Sequence, residues 1–373
     1  MTAFAAIVAL LIGLLIHNVV YDRFWSRGVN VEMFFSSPTA TEGDELVLFE
    51  VLSNGNFLPL PWAELKFQTS RNLEFRDKSG ARISDGYYRR DLFSIMMRQK
   101  ITRRLRFVCL RRGYYTVRNI DFVSGNLLMT KKYAAHFASN AAVSVYPKLM
   151  PSDAFDILYT RVMGAVVSQR FINPDPFEFK GIREYQPFDT FRSINFKAAA
   201  RTGELMVNIH DYTVSTEVIL MLNLQWHNDR INESLDEQSI RLAASLAERF
   251  IAQGVPVRFV TNGQDIITND GADVAEGSGS GHLFNIYEVL ARIKLANDPP
   301  AFANTLIDIG SVKKGEPLYL LISTYHRADL ASAFLGLSRY GAKAEWILPY
   351  LPYTLLNVLP ELEQKVTLWE ASS

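Results

Sequence analysis

The chain has 373 residues, 48% of them hydrophobic and 12% aromatic, which excludes a disordered polymer because that much apolar surface offsets the entropy of ordering. Its 39 Lys and Arg balance 39 Asp and Glu, so no net field draws it onto nucleic acid. The length suits two domains and an anchor, and a single cysteine, Cys109, excludes an internal disulfide framework.

Residues 2–20 carry no formal charge at neutral pH and are about long enough, at 1.5 Å per residue, to cross a hydrocarbon core. A transmembrane anchor is predicted over 1–21. A cleaved signal would show a basic leader, and nothing basic precedes this apolar run. Tyr21, Phe24 and Trp25 follow as interfacial aromatics, and Arg23 and Arg27 place the bulk of the protein in the cytoplasm by the positive-inside rule.

Residues 28–149 alternate with period two and are rich in turns, which predicts a small antiparallel β-sandwich of immunoglobulin-like character. Val47, Phe49 and Val51 are expected on the buried side of one strand, with Asn54-Gly55 as a turn. Ala63, Leu65 and Phe67 are expected inward on the next. The basic run over 98–112, with Arg98, Lys100, Arg103, Arg104, Arg106, Arg111 and Arg112, suits a solvated strand face or, on an anchored protein, anionic head groups. Cys109 is expected as a packed, inert thiol.

A connecting region, 150–210, holds the most distinctive stretch. Over 178–205 it reads EFKGIREYQPFDTFRSINFKAAARTGEL. Arg183, Glu184, Asp189, Arg192, Lys197 and Arg201 alternate in sign among Tyr185, Phe188, Ile194 and Phe196, as a buried or half-buried ion-pair lattice would. The order resembles the signature of the bacterial family called domain of unknown function 58, EFRGLREYQPGDDPRRIDWKATARTGEL. Phe188 departs from its Gly, and Asn195-Phe196 from its Asp-Trp. The resemblance implies an interaction surface at Arg183, Glu184, Tyr185, Asp189, Arg192, Lys197 and Arg201, and a MoxR-type AAA+ ATPase as partner.

Residues 211–373 alternate strands and helices, which predicts a doubly wound, mainly parallel sheet. Strands are expected at 218–224, 256–261, 318–323 and 345–348, and helices at 283–295 and 327–340. Another helix is expected to start in a Ser234/Glu237 capping box and to end at Gly254. The Gly/Ser-rich 271–281 reads as a surface loop.

This half resembles a von Willebrand factor type A-like domain, which carries Asp-x-Ser-x-Ser for Mg²⁺ after its first strand. Here Asn223, Gln225 and His227 occupy those three places without a carboxylate, a degenerate site from which no metal is expected. No cofactor loop, nucleophile elbow or paired-histidine spacing occurs. The expectation is a non-catalytic, membrane-anchored interaction protein. A stand-alone envelope scaffold and an enzyme using the charged signature are the alternatives.

Overall fold

A computed structural model describes residues 2–84, 86–150, 153–170, 179–186, 194–210, 217–226, 232–295, 299–311, 317–337, 343–352 and 359–371. The chain divides into two compact units between Lys148 and Leu149.

The first unit opens with α1 (Thr2–Phe24), the one helix among the described residues long and apolar enough to cross a membrane. Its last turn is fastened to the strands that follow. Tyr21 donates its hydroxyl to the Pro59 carbonyl at 2.9 Å, and Asp22 accepts from Lys131 and Tyr133, both at 2.8 Å. Trp25 stacks on Tyr133, ring centroids 5.2 Å apart.

Two sheets follow. One orders β1 (Val29–Phe35), β3 (Glu45–Asn54), β8 (Gln99–Cys109) and β5 (Leu73–Phe75) as β1-β3-β8-β5. The other comprises β2 (Thr39–Thr41), β4 (Leu60–Thr69), β6 (Ala81–Ile83), β7 (Tyr87–Ile95), β9 (Gly113–Gly125) and β10 (Lys132–Tyr146), ordered β2-β10-β9-β4-β7-β6. All pairings are antiparallel except β2 with β10. Their inward side chains form one apolar core, the arrangement of a β-sandwich.

Ala63, Leu65 and Phe67 point into that core as expected. On β3 the core is met mainly by the other face: Leu48 and Leu52 are in the core, with Glu50 buried between them, while of the expected set Val51 is buried but Val47 and Phe49 are half-buried, Phe49 stacking on the exposed Phe34 at 5.0 Å. Both faces of β3 are apolar, so alternation alone does not choose between them.

The second unit is built on a six-stranded sheet, ordered β16-β14-β13-β18-β19-β20. Its strands are β13 (Val218–Asn223), β14 (Val257–Thr261), β16 (Ala272–Gly277), β18 (Leu318–Ser323), β19 (Ala344–Tyr350) and β20 (Val366–Glu370). Five run parallel, and β16 pairs antiparallel with β14 at the edge. β13 and β18 are buried at every position, as fits continuous apolar strands covered on both faces.

From β13 the chain moves one way to β14 and later the other way through β18 and β19. Right-handed crossovers in opposite directions put helices on opposite faces. Accordingly α4 (Glu233–Ala252) and α5 (Ser280–Arg292) pack in one apolar cluster, and α6 (Phe302–Ser311) and α7 (Ala328–Leu337) in another. From the connecting region, α2 (Asp153–Arg170) joins the first cluster through Phe155, Leu158, Tyr159 and Val162.

Two local expectations are corrected. The helix begins at Glu233 and is capped by Asn232, whose Oδ1 accepts from the Leu235 N–H at 3.2 Å, and not by a Ser234 box. Gly254, at φ 74°, terminates it as expected. Part of the 271–281 stretch read as a loop is strand β16. An edge strand needs hydrogen bonds on one side only, so a polar, glycine-rich segment suffices when Asp273 pairs with Arg258 at 2.6 Å and Val274 lies opposite Phe259.

Candidate functional site

Open α/β sheets bind ligands where strand order reverses, at the carboxyl ends of the strands. Here that place lies beyond β13 and β18, whose last register pair is Asn223 with Ser323. Asn223 Nδ2 donates to Ser323 Oγ at 3.0 Å, and Asn223 Oδ1 accepts from Asn262 Nδ2 at 2.8 Å and from the Gln225 N–H at 3.0 Å. A backbone N–H can only donate, which fixes the orientation of the Asn223 amide. Asn262 Oδ1 accepts the Leu224 N–H at 2.9 Å, and Gln225 Oε1 accepts the Phe302 N–H at 2.9 Å. Ser323 Oγ donates to the Tyr325 carbonyl at 2.8 Å.

Asn223, Asn262 and Ser323 are buried. Two accepted bonds fill the lone-pair capacity of Asn223 Oδ1, so its amide is committed within this neutral network. His227, the third residue of the degenerate site, lies outside the described residues. A cleft of about 430 Å³ does open on this sheet, lined by Glu217, Arg258, Pro317 and Tyr319, but at the amino ends of the strands.

The signature forms a small module. β11 (Phe179–Glu184) pairs antiparallel with β12 (Met206–His210), and α3 (Phe196–Thr202) lies between them in the chain. Asn195, standing where the resembled signature has Asp, caps α3: its Oδ1 accepts the Ala198 N–H at 2.9 Å and its Nδ2 donates to Asn208 Oδ1 at 2.7 Å. Gly203, at φ 80°, ends the helix by donating its N–H to the Ala199 carbonyl.

Among its described residues this module turns several charges outward. Glu184, Lys197 and Arg201 are exposed, and Arg183 and Tyr185 are half-buried. Arg183 Nη1 donates to the Glu184 carbonyl at 2.9 Å. Phe196 is 72% exposed and Ile182 and Leu205 are exposed beside these charges. Asp189 and Arg192 lie outside the described residues.

A charged cluster that the sequence reading missed sits inside the sandwich. Arg89 Nε donates to Asp91 Oδ2 at 2.5 Å and its Nη2 to Asp77 Oδ2 at 3.0 Å. Arg103, which lies opposite Glu50 in the β3–β8 register, crosses to Asp91 and stands over the Phe93 ring at 4.3 Å. Neither Glu50 carboxyl oxygen accepts from a donor group; its hydrogen-bonding neighbour is the Asp91 carboxyl. Burial, and then the neighbouring charge of Asp91, push its carboxyl up to about 8. The signal was present in the run over 87–95, where strict alternation puts Arg89 and Asp91 on the face of Tyr87, Phe93 and Ile95. Cys109 is buried, and burial pushes its thiol up to about 12, which leaves it inert. Among the described residues no three His, Cys, Asp or Glu side chains stand together as metal ligands would.

No family model matches the chain, and no curated protein sequence matches it. Solved structures similar to part of it include the CARDB domain of PF1109 from Pyrococcus furiosus, at 10% identity over 32% of this chain and 90% of that one, TM-score 0.21. A non-cellulosomal cohesin from Archaeoglobus fulgidus is 12% identical over 31% and 91%, TM-score 0.22. A type II cohesin domain from Acetivibrio cellulolyticus is 7% identical over 31% and 94%, TM-score 0.24. At these scores the description of the sandwich rests on its own strand pairing.

Proposed function

We propose that the chain is a membrane-anchored, non-catalytic interaction protein, held by α1 with its two folded units in the cytoplasm. Its partner is a MoxR-type AAA+ ATPase, bound through the signature module in the assembly or remodelling of protein complexes. One observation carries the reading. The strand ends where an α/β sheet of the doubly wound, type A-like kind would do chemistry are filled by a neutral, mutually satisfied amide network, while the signature presents charged and apolar side chains to solvent. Exposed aromatics beside charged groups are the composition of a docking surface, where a few anchors carry most of the binding energy. The resemblance of 178–205 to the domain of unknown function 58 signature supports the choice of partner, and Arg23 and Arg27 after the apolar run support the orientation.

The test is capture of a purified, co-encoded MoxR-type ATPase by the full-length chain in detergent, with Phe196→Ala, Lys197→Ala and Arg201→Ala beside wild type. These side chains are exposed, so the variants should melt like wild type and lose capture together. Failure of the folded wild type to bind any such ATPase would favour a stand-alone scaffold.

A further inference from the structure

We infer that the end of the β-sandwich from which α1 emerges is itself a membrane-embedding surface, three apolar loop tips seated in the head-group and upper acyl region of the same bilayer. The inference rests on the reading of α1 as a membrane anchor. Phe57, Met96, Met97, Leu127, Leu128 and Met129 are each between 50% and 65% exposed. They belong to three different loops, joining β3 to β4, β7 to β8 and β9 to β10.

Contacts bring all three to the end of the helix. In the first loop, Phe57 lies 6.4 Å from Phe24, ring to ring, and Asn56 donates to the Phe24 carbonyl. The second is tied to the first, the Arg98 N–H donating to the Asn56 carbonyl at 3.1 Å and Asn54 Nδ2 to the Met96 carbonyl at 3.1 Å. The third climbs the helix, where Asn126 Nδ2 donates to Asn18 Oδ1 at 3.0 Å. Asn18 is six residues before Phe24, about 9 Å along the axis. Leu127, Leu128 and Met129 follow directly in this loop, and on α1 itself Leu15, Ile16 and Val19, within three residues of Asn18, are also exposed.

Two further observations favour lipid as the occupant. Arg98 and Met129 hold left-handed backbone, φ 52° and 53°, in the second and third loops. Glycine or asparagine would fit such exposed positions with less strain and greater solubility, so internal stability does not explain a methionine there. Exposed cations also rim the patch: Arg23 and Arg27 after the apolar run, Arg98 in the second loop and Lys132 beyond the third, while Lys131 pairs with Asp22. Apolar tips inside a basic rim match a bilayer with anionic head groups.

The experiment uses the full chain, labelled with nitroxide at single cysteines replacing Phe57, Met97 or Leu128, in vesicles of phosphatidylethanolamine and phosphatidylglycerol. Buried Cys109 is left in place. Val8→Cys in α1 and Phe34→Cys on the outer face of the sandwich serve as references. Accessibility to oxygen against a water-soluble nickel complex reads depth. All three loop labels should partition toward oxygen, shallower than position 8, while position 34 stays in water. Loop labels as wet as position 34, with position 8 in lipid, would overturn the embedded surface and leave the anchor standing. A wet position 8 would remove the anchor and the inference with it. Loop labels inaccessible to oxygen and to the nickel complex alike would place the tips in a protein contact and overturn the inference.

Discussion

Two buried polar clusters, one in each unit, are held in opposite ways. Inside the sandwich they are ionisable: Glu50, Arg89 and Asp91 are buried, and Arg103 reaches Asp91 from the facing sheet. At the strand ends of the α/β sheet they are neutral, Asn223, Asn262 and Ser323 satisfying one another. Both solve the same problem, since an unpaired buried polar group is costly. They differ in what sets the balance. A charged cluster depends on pH and on every member being present, whereas an amide network does neither so strongly.

The largest effect should come from breaking the charged set. Arg89→Ala leaves Asp91 buried with reduced compensation, and removing one partner of a buried pair costs about 3–5 kcal/mol. Calorimetry of the detergent-solubilised chain should show the sandwich transition lowered while that of the α/β unit holds. Unchanged melting would show that solvent reaches Asp91.

The pH dependence follows from Glu50. Its carboxyl is raised from 4.5 to about 8, so between those values the folded chain keeps a proton that the unfolded chain releases. That stabilisation is whole below about pH 4.5 and is lost as pH rises through 8. Sandwich stability should fall across this window by on the order of 1 kcal/mol per pH unit. Glu50→Gln mimics the protonated form and should flatten the slope. Asp77 works in the other sense. Hydrogen bonds from Ser79 and then Arg89 hold it down to about 2, so its contribution is present above about pH 3.8 and fades as pH falls through 2. A slope that persists in Glu50→Gln would assign it to another group.

The neutral network gives a smaller and pH-independent response. Asn223→Ala leaves Ser323 Oγ and Asn262 Nδ2 each short of a partner, at a cost of about 1–3 kcal/mol. The loss measured at pH 5 and pH 8 should be the same.

These contrasts also mark what was legible in the sequence. The strands 218–223 and 318–323 were visible because a strand covered on both faces must be apolar throughout. Helix α4 was visible through its periodicity and Gly254, although Asn232 does the capping. The inward face of β3 was hidden because Val47, Phe49 and Val51 look as apolar as Leu48 and Leu52, while the one charged residue of the strand's centre, Glu50, lies on the buried side. β16 was hidden for a related reason: its hydrogen bonds come from β14, not from its own composition. At the strand ends, the missing carboxylates at Asn223 and Gln225 were legible. The part played by Asn262 was not, since it joins the network from 39 residues away. The outward display of the signature depended on tertiary placement too, because alternating charges read alike in a lattice and on a surface.

The smallest effect supplies the control. In the α/β unit Arg249 Nη2 meets Asp156 Oδ1 at 2.6 Å, nearly the length of the Arg89–Asp91 contact at 2.5 Å. Length therefore does not separate the two pairs, but solvent does. The Arg249 and Asp156 side chains are 47% and 56% exposed, those of Arg89 and Asp91 0% and 3%. Water and salt screen the first pair, and exposed pairs contribute about 0–1 kcal/mol. Arg249 also lies 5.9 Å from the rings of Phe155 and Tyr159, so truncating it would confound charge with packing. Asp156→Asn removes the charge alone. It should move the α/β transition by less than 1 kcal/mol, and raising NaCl should erase even that. A loss comparable to that of Arg89→Ala would mean that burial is not what distinguishes the two pairs.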